Sequence, residues 1–188
     1  MEAIIAAITA YQPATTQEVA DKKLFMEQIR YQENLLTREN LDYHFSSSAW
    51  VVNPDYDKTL MIYHNIYQSY AWTGGHADGM SDLLQVAKKE LMEETGIKNY
   101  QVVTEKLFSF DILPVPAHYK NGKFIKEHNH INTTYLFVAP ETQNLQIKPD
   151  ENSDVKWIAA DKLEQAVAEV AMHPYYRKLM NKAKKFKE

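Results

Sequence analysis

The chain has no cysteine. That absence excludes disulfides, thiolate-ligated zinc and a thiol nucleophile, and it suits a cytoplasmic protein. Glycine is scarce as well, with five in 188 residues. Yet Gly74, Gly75, Gly79 and Gly96 all fall in one short stretch. The longest apolar run near the start, Ala3–Ala10, is too short to span a bilayer, and Glu2 precedes it where a signal peptide would carry positive charge. An excess of positive charge is missing too: the net charge is −4, so nothing draws the chain broadly to nucleic acid. Arg177, Lys178, Lys182, Lys184, Lys185 and Lys187 crowd the C-terminus, where they read as the dipole-favoured end of a helix. Neither membrane nor nucleic acid is expected as a partner. What remains is 45% hydrophobic and 24% charged, the balance of a globular domain with an extension.

The glycine-rich stretch leads into acids. It reads GGHADGMSDLLQVAKKELMEETGI from Gly74 to Ile97. Asp82 is placed to cap a helix, with Gln85 three residues on, and Gly96 stands where a left-handed C-cap is expected. Leu84, Ala87 and Leu91 form the expected apolar stripe. Glu90, Glu93 and Glu94 then share one face, at i, i+3 and i+4. Each like-charge pair at this spacing costs about 0.2–0.5 kcal/mol. Acids in a last turn also oppose the helix dipole, at roughly 0.3–1 kcal/mol each. A bound cation removes both penalties, and carboxylate oxygens suit Mg²⁺, or Mn²⁺ as a substitute.

These residues resemble the Nudix box, G-x5-E-x7-R-E-U-x-E-E-x-G-U, where U is a bulky aliphatic residue. With Gly75 in the first position, Glu90, Leu91, Glu93, Glu94, Gly96 and Ile97 match at the correct spacings. Ser81 stands where the first Glu belongs and Lys89 where the Arg belongs, with Asp78 or Asp82 as stand-ins for the missing acid. The resemblance implies an α/β fold, a Nudix-type α/β/α sandwich around a mixed β-sheet. It also implies Mg²⁺-dependent cleavage of a nucleoside diphosphate linked to another group. Glu90, Glu93, Glu94 and the carbonyl of Gly74 would hold the metal. Glu90, Glu93 and Glu151 are alternative proton acceptors, Glu151 because it enters the last strand six residues before Trp157, with Asp150 next in line. Pro114 lies 17 residues after Ile97, near where ADP-ribose-type members place a Pro. A binding domain with weak or no turnover is the alternative, and Ser81 and Lys89 would be its marks. An isopentenyl-diphosphate isomerase would resemble one using a catalytic Cys, which this chain lacks. A structural or regulatory partner protein is the third class. A homodimer is an open option.

Residues 1–40 read as a helical extension and 41–188 as the Nudix domain. Helices are expected over 2–11 and 15–36, the second with Val19, Leu24, Ile29 and Leu36 as its apolar positions, covering a sheet edge or a partner. Strands are expected over Phe45–Val52, Thr59–His64, Tyr70–Thr73, Val102–Leu113 (interrupted at Pro114 and Pro116), His130–Val138 and Val155–Ile158. A turn is expected at Asn121–Gly122, a helix from Asp161 to Val170, and another after Pro174. His128 and His130 share one strand face. With His76 in the glycine loop, and His118, Lys120, Lys123 and Glu127 near in sequence, they are candidates for phosphate contact or proton transfer. Two His at i and i+2 also suit zinc, but no third ligand is evident at strong spacing. Trp50, Trp72, Tyr63, Tyr67 and Tyr70 read mainly as sheet packing, with one available to stack on a base.

Overall fold

The computed structural model describes residues 1–120 and 122–187. In chain order the elements are α1 (Glu2–Ala10), α2 (Thr16–Glu27), β1 (Tyr43–Val52), β2 (Lys58–His64), β3 (Ser69–Ala71), β4 (Thr73–His76), α3 (Leu83–Thr95), β5 (Gln101–Val102), β6 (Ser109–Val115), β7 (His118–Lys120), β8 (Lys123–Ile125), β9 (His128–Val138), β10 (Asn152–Ala159), α4 (Leu163–Ala166) and α5 (His173–Lys184). One large sheet has the strand order β10-β2-β1-β9-β5, with β3 on β2, β4 on β1 and β6 on β9. The α/β class expected from the sequence holds, and the N-terminal helices are present. Among the described residues no helix is long and apolar enough to cross a membrane. The expected turn at Asn121–Gly122 falls partly outside them; Gly122 has φ +75°, which suits glycine.

The chain divides into two compact units. The first takes in Met1–Ser48, Gly74–Ala87 and Thr104–Tyr135. Here β6 and β9 run antiparallel from Ser109↔Thr134 to Val115↔His128. Phe25 of α2 meets Phe45 and Phe110 edge to face, with ring centroids 5.8 and 5.6 Å apart. The inward face of α2 differs from expectation. Val19 is 55% exposed, while Glu18, Asp21 and Phe25 are buried. The acids can sit inside because they are bonded there. Glu18 accepts from the Tyr11 hydroxyl at 2.7 Å and from the Ala14 amide at 2.6 Å, and Asp21 accepts from the Ile112 amide of β6 at 3.1 Å. Asp21 thus closes a backbone donor on the side of β6 away from β9, as a covered sheet edge requires. The helix also ends at Glu27 rather than near residue 36. Continued, it would carry Gln32 and Glu33 inward. Instead Ile29–Tyr31 make a 3-10 turn, Asn34 takes φ 57°, and Ile29 and Leu35 are buried.

The second unit comprises Ala49–Thr73, Lys88–Val103 and the chain from Leu136 onward. β2 pairs antiparallel with β10, from Asn152↔His64 to Ala159↔Lys58, and with β3. Trp50 is fully buried, stacked on Tyr176 of α5 at 5.7 Å and edge-on to Trp72 at 6.4 Å, so it is core rather than a base-stacking platform. Pro174 lies in the first turn of α5, where its missing N–H costs nothing. The helix expected from Asp161 to Val170 shrinks to Leu163–Ala166. The reason is Ser69: its hydroxyl accepts the amides of Ala168 at 3.0 Å and Glu169 at 3.2 Å, taking over from helix carbonyls.

Two strand expectations need correction. Val102–Leu113 is not one strand: β5 ends at Val102, and the Lys106 amide donates to Thr104 Oγ1 at 3.1 Å in an exposed turn. Pro114 does not interrupt β6, because it lies inside it opposite Asn129, on a strand that among the described residues pairs with β9 alone.

Candidate functional site

The helix of the acids forms as its caps dictate. The Gln85 amide donates to Asp82 Oδ1 at 3.1 Å, and Gly96 closes the far end with φ +73°. The buried stripe is Leu83, Val86, Ala87 and Leu91: Ala87 and Leu91 lie in it as expected, while Leu84 is only partly covered and Leu83 and Val86 widen it on the other side. The difference matters chemically. Glu90 and Glu94 continue that stripe, at 9% and 2% exposure, while Glu93 stands exposed on its flank. Burial pushes the Glu90 carboxyl above the usual carboxylate range, Lys89 lowers it in part, and Glu93 raises it again.

A second segment of the same unit approaches this helix. The Gln146 amide donates to the Thr95 carbonyl at 2.9 Å, and the Asn152 amide group donates to the Glu94 carbonyl at 3.0 Å. Asn152 also accepts the Lys148 amide at 3.2 Å, so one fully buried side chain fixes the loop against the end of α3. The loop carries Lys148 and Glu151. Lys148 Nζ lies 3.3 Å from Glu93 Oε2 and 3.0 Å from Glu151 Oε2. Burial alone would lower the Lys148 ammonium, but Glu151 and Glu93 more than offset it and leave it raised. Glu93 and Glu151, far apart in sequence, thus share one cationic group. Lys148 and Asn152 were not singled out from sequence, since a lone Lys and Asn in a polar loop carry no signal of their own.

Lys89, at the family's Arg position, lies 3.4 Å from Glu90 Oε1 and 3.7 Å from Glu93 Oε1. It is half exposed, so these pairs are weak. Ser81 is exposed. Asp82 is engaged as the helix cap, and Asp78 pairs with Arg38 at 2.5 Å. Gly74 belongs to the first unit and lies in β4, as do Gly75 and His76, rather than in a free loop. Only glycine fits at position 74: a Cβ there would come within 2.5 Å of Ser48 Oγ and 2.7 Å of the Ser47 carbonyl. His76, His128 and His130 also belong to the first unit, where the fold brings them together with His44. His44 was not singled out from sequence, because it stands alone on β1.

The model of the NUDIX domain matches residues 30–180. A comparison with curated proteins finds no match. Among solved structures the fold is similar to a C. elegans Ap4A hydrolase binary complex, at 15% identity over 75% of this chain and 95% of that chain, with TM-score 0.54. It is similar to a NUDIX-family hydrolase from Clostridium perfringens, at 18% identity over 73% and 96%, with TM-score 0.52. It is also similar to the E. coli dihydroneopterin triphosphate pyrophosphohydrolase, at 14% identity over 73% and 92%, with TM-score 0.54. At such identities the likeness is one of fold. The family match, spanning most of the chain and enclosing the helix of acids, makes this protein a member of the Nudix family, the enzymes that hydrolyse pyrophosphate bonds.

Proposed function

We propose that the protein is a Mg²⁺-dependent hydrolase of the diphosphate bond in a nucleoside diphosphate linked to another group, with ADP-ribose or a nucleotide sugar ahead of other substrates. The observation that carries this reading is the gathering of Glu90, Glu93 and Glu151 around the ammonium groups of Lys89 and Lys148. The donor set suits a hard divalent cation: carboxylate oxygens only, one of them on Glu90, whose burial disfavours an uncompensated charge. Such a cation neutralises phosphate charge and lowers the pKa of a bound water.

The protein's own residues do the rest. Glu90, Glu93 and Glu94 would hold the cation. The attacking water gives its proton to a carboxylate, for which Glu90, Glu93 and Glu151 are the candidates. Lys148 keeps Glu151 directed toward Glu93, and Asn152 keeps Lys148 in place. The preference for ADP-ribose or a nucleotide sugar rests on Pro114 and the family resemblance.

A panel of ADP-ribose, nucleotide sugars, dinucleotides and nucleoside triphosphates, followed by the appearance of nucleoside monophosphate and its partner product with and without Mg²⁺, tests this reading. The expected result is metal-dependent turnover of one class, lost in Glu94→Gln. Turnover of none contradicts it. The presence of Lys89 among the acids favours a second reading, a nucleotide-binding domain of little activity. In that case nucleotide binds without turnover, and Ser81→Glu with Lys89→Arg raises the rate.

A further inference from the structure

Four imidazoles converge in the first unit. His44 comes from β1, His76 from β4, and His128 and His130 from β9. One ring nitrogen from each can be chosen so that all lie within 4.8 Å of one another. His130 Nε2 is 3.1 Å from His76 Nε2 and 3.2 Å from His128 Nε2. The His44 ring lies 5.0, 4.9 and 5.1 Å from those of His76, His128 and His130. Two nitrogens on one tetrahedral zinc, each bonded at about 2.0–2.1 Å, are about 3.3 Å apart. The spacing of the two close nitrogen pairs is therefore that of ligands around one ion.

The surroundings set which nitrogen faces inward. His44 Nδ1 meets the Asn40 carbonyl at 3.1 Å, and His128 Nδ1 meets the Lys126 carbonyl at 2.9 Å. A carbonyl only accepts, so both Nδ1 atoms carry a proton, and Nε2 is the nitrogen left to bind an ion. His44 is 5% exposed, and its Nε2 is buried with no hydrogen-bond partner. Such an atom is rare in a folded protein. At His130, a proton on Nε2 can be directed well at only one of its two close neighbours, whereas a central cation engages every lone pair.

We infer that His44, His76, His128 and His130 bind one divalent transition ion of the zinc class, through a donor set distinct from the carboxylates. Imidazole suits Zn²⁺, Cu²⁺, Ni²⁺ and Fe²⁺, and an all-nitrogen set gives Mg²⁺ no oxygen to bind. Four protein ligands fill a tetrahedral shell, so the role is structural. The ion would tie β1, β4 and β9 together and hold His76 next to Gly75, where the Nudix box begins. Ligation replaces the phosphate contact suggested for His76, His128 and His130, because a ring nitrogen turned to an ion cannot also meet phosphate. Sequence showed only the i, i+2 pair on β9; the other two ligands arrive through the sheet.

The test uses untagged full-length protein, stripped with a chelator and then given Zn²⁺ or Co²⁺ in the presence of excess Mg²⁺. The expected results are one Zn²⁺ per chain by elemental analysis, a higher unfolding temperature, and the intense visible bands of tetrahedral Co²⁺. His76→Asn and His44→Phe should lower Zn²⁺ affinity by about 100-fold or more, while Glu93→Gln leaves it unchanged. Loss of zinc in Glu93→Gln but not in the His variants would overturn the assignment, as would a weak octahedral Co²⁺ spectrum. If a His variant does not fold, the Co²⁺ spectrum of the unaltered protein decides alone.

Discussion

Glu90 and Glu94 stand on the stripe of α3 that is otherwise Leu83, Val86, Ala87 and Leu91. A carboxylate at a core position disfavours its own charge, as the raised Glu90 shows. The spacing of these acids is plain in the sequence, but their burial is not, because it follows from Leu83 and Val86 facing inward in place of Leu84. Glu169 gives a direct check on the same physics away from the site. It is partly buried, and burial raises its carboxyl above 4.5. A folded pKa above the unfolded one means that stability falls as pH rises through the window above 4.5, and the deficit persists at neutral pH. Glu169→Gln should therefore raise the unfolding temperature by about 1–2 °C at neutral pH and give no gain well below pH 4.5. A gain of the same size at both pH values, measured by thermal denaturation, would contradict the assignment.

At the scale of elements, caps and turns were the legible part. Asp82 and Gly96 bound α3 as read, and Pro174 lies in the first turn of α5. What failed were elements whose ends are set by distant groups. Ser69 on β3 stops α4, and Glu18 and Asp21 turn a polar face of α2 inward toward Tyr11, Ser109 and Ile112. No local pattern announces such partners. Ser109 Oγ lies 2.8 Å from Glu18 Oε1 and 2.7 Å from Asp111 Oδ2. One hydroxyl has one proton to donate, so for both contacts to be hydrogen bonds one acid must carry a proton. The apolar anchor of this packing is Phe25. Phe25→Ala should cost about 3–5 kcal/mol in denaturant unfolding. A loss below about 1 kcal/mol would mean that α2 is not docked through this residue.

For the whole molecule, the family was legible in one motif and the rest of the site was not. Gly75 to Ile97 carries the helix acids, and the place of Glu151 before Trp157 makes it a candidate from sequence alone. Lys148 and Asn152, which tie that loop to α3, became visible only in three dimensions. The same holds for His44 beside His76, His128 and His130. The central claim is that the carboxylates gathered at α3 carry out cation-dependent cleavage of a diphosphate. Glu93 tests it most directly, since its exposed position makes Glu93→Gln mild for the fold. Mg²⁺-dependent formation of the nucleoside monophosphate product should be compared between the unaltered protein and Glu93→Gln, on the substrate class that turns over and with matched circular dichroism. The account predicts a fall of about 100-fold or more. A rate within about twofold of the unaltered protein would contradict it, because one of the carboxylates assigned to the cation would then be dispensable.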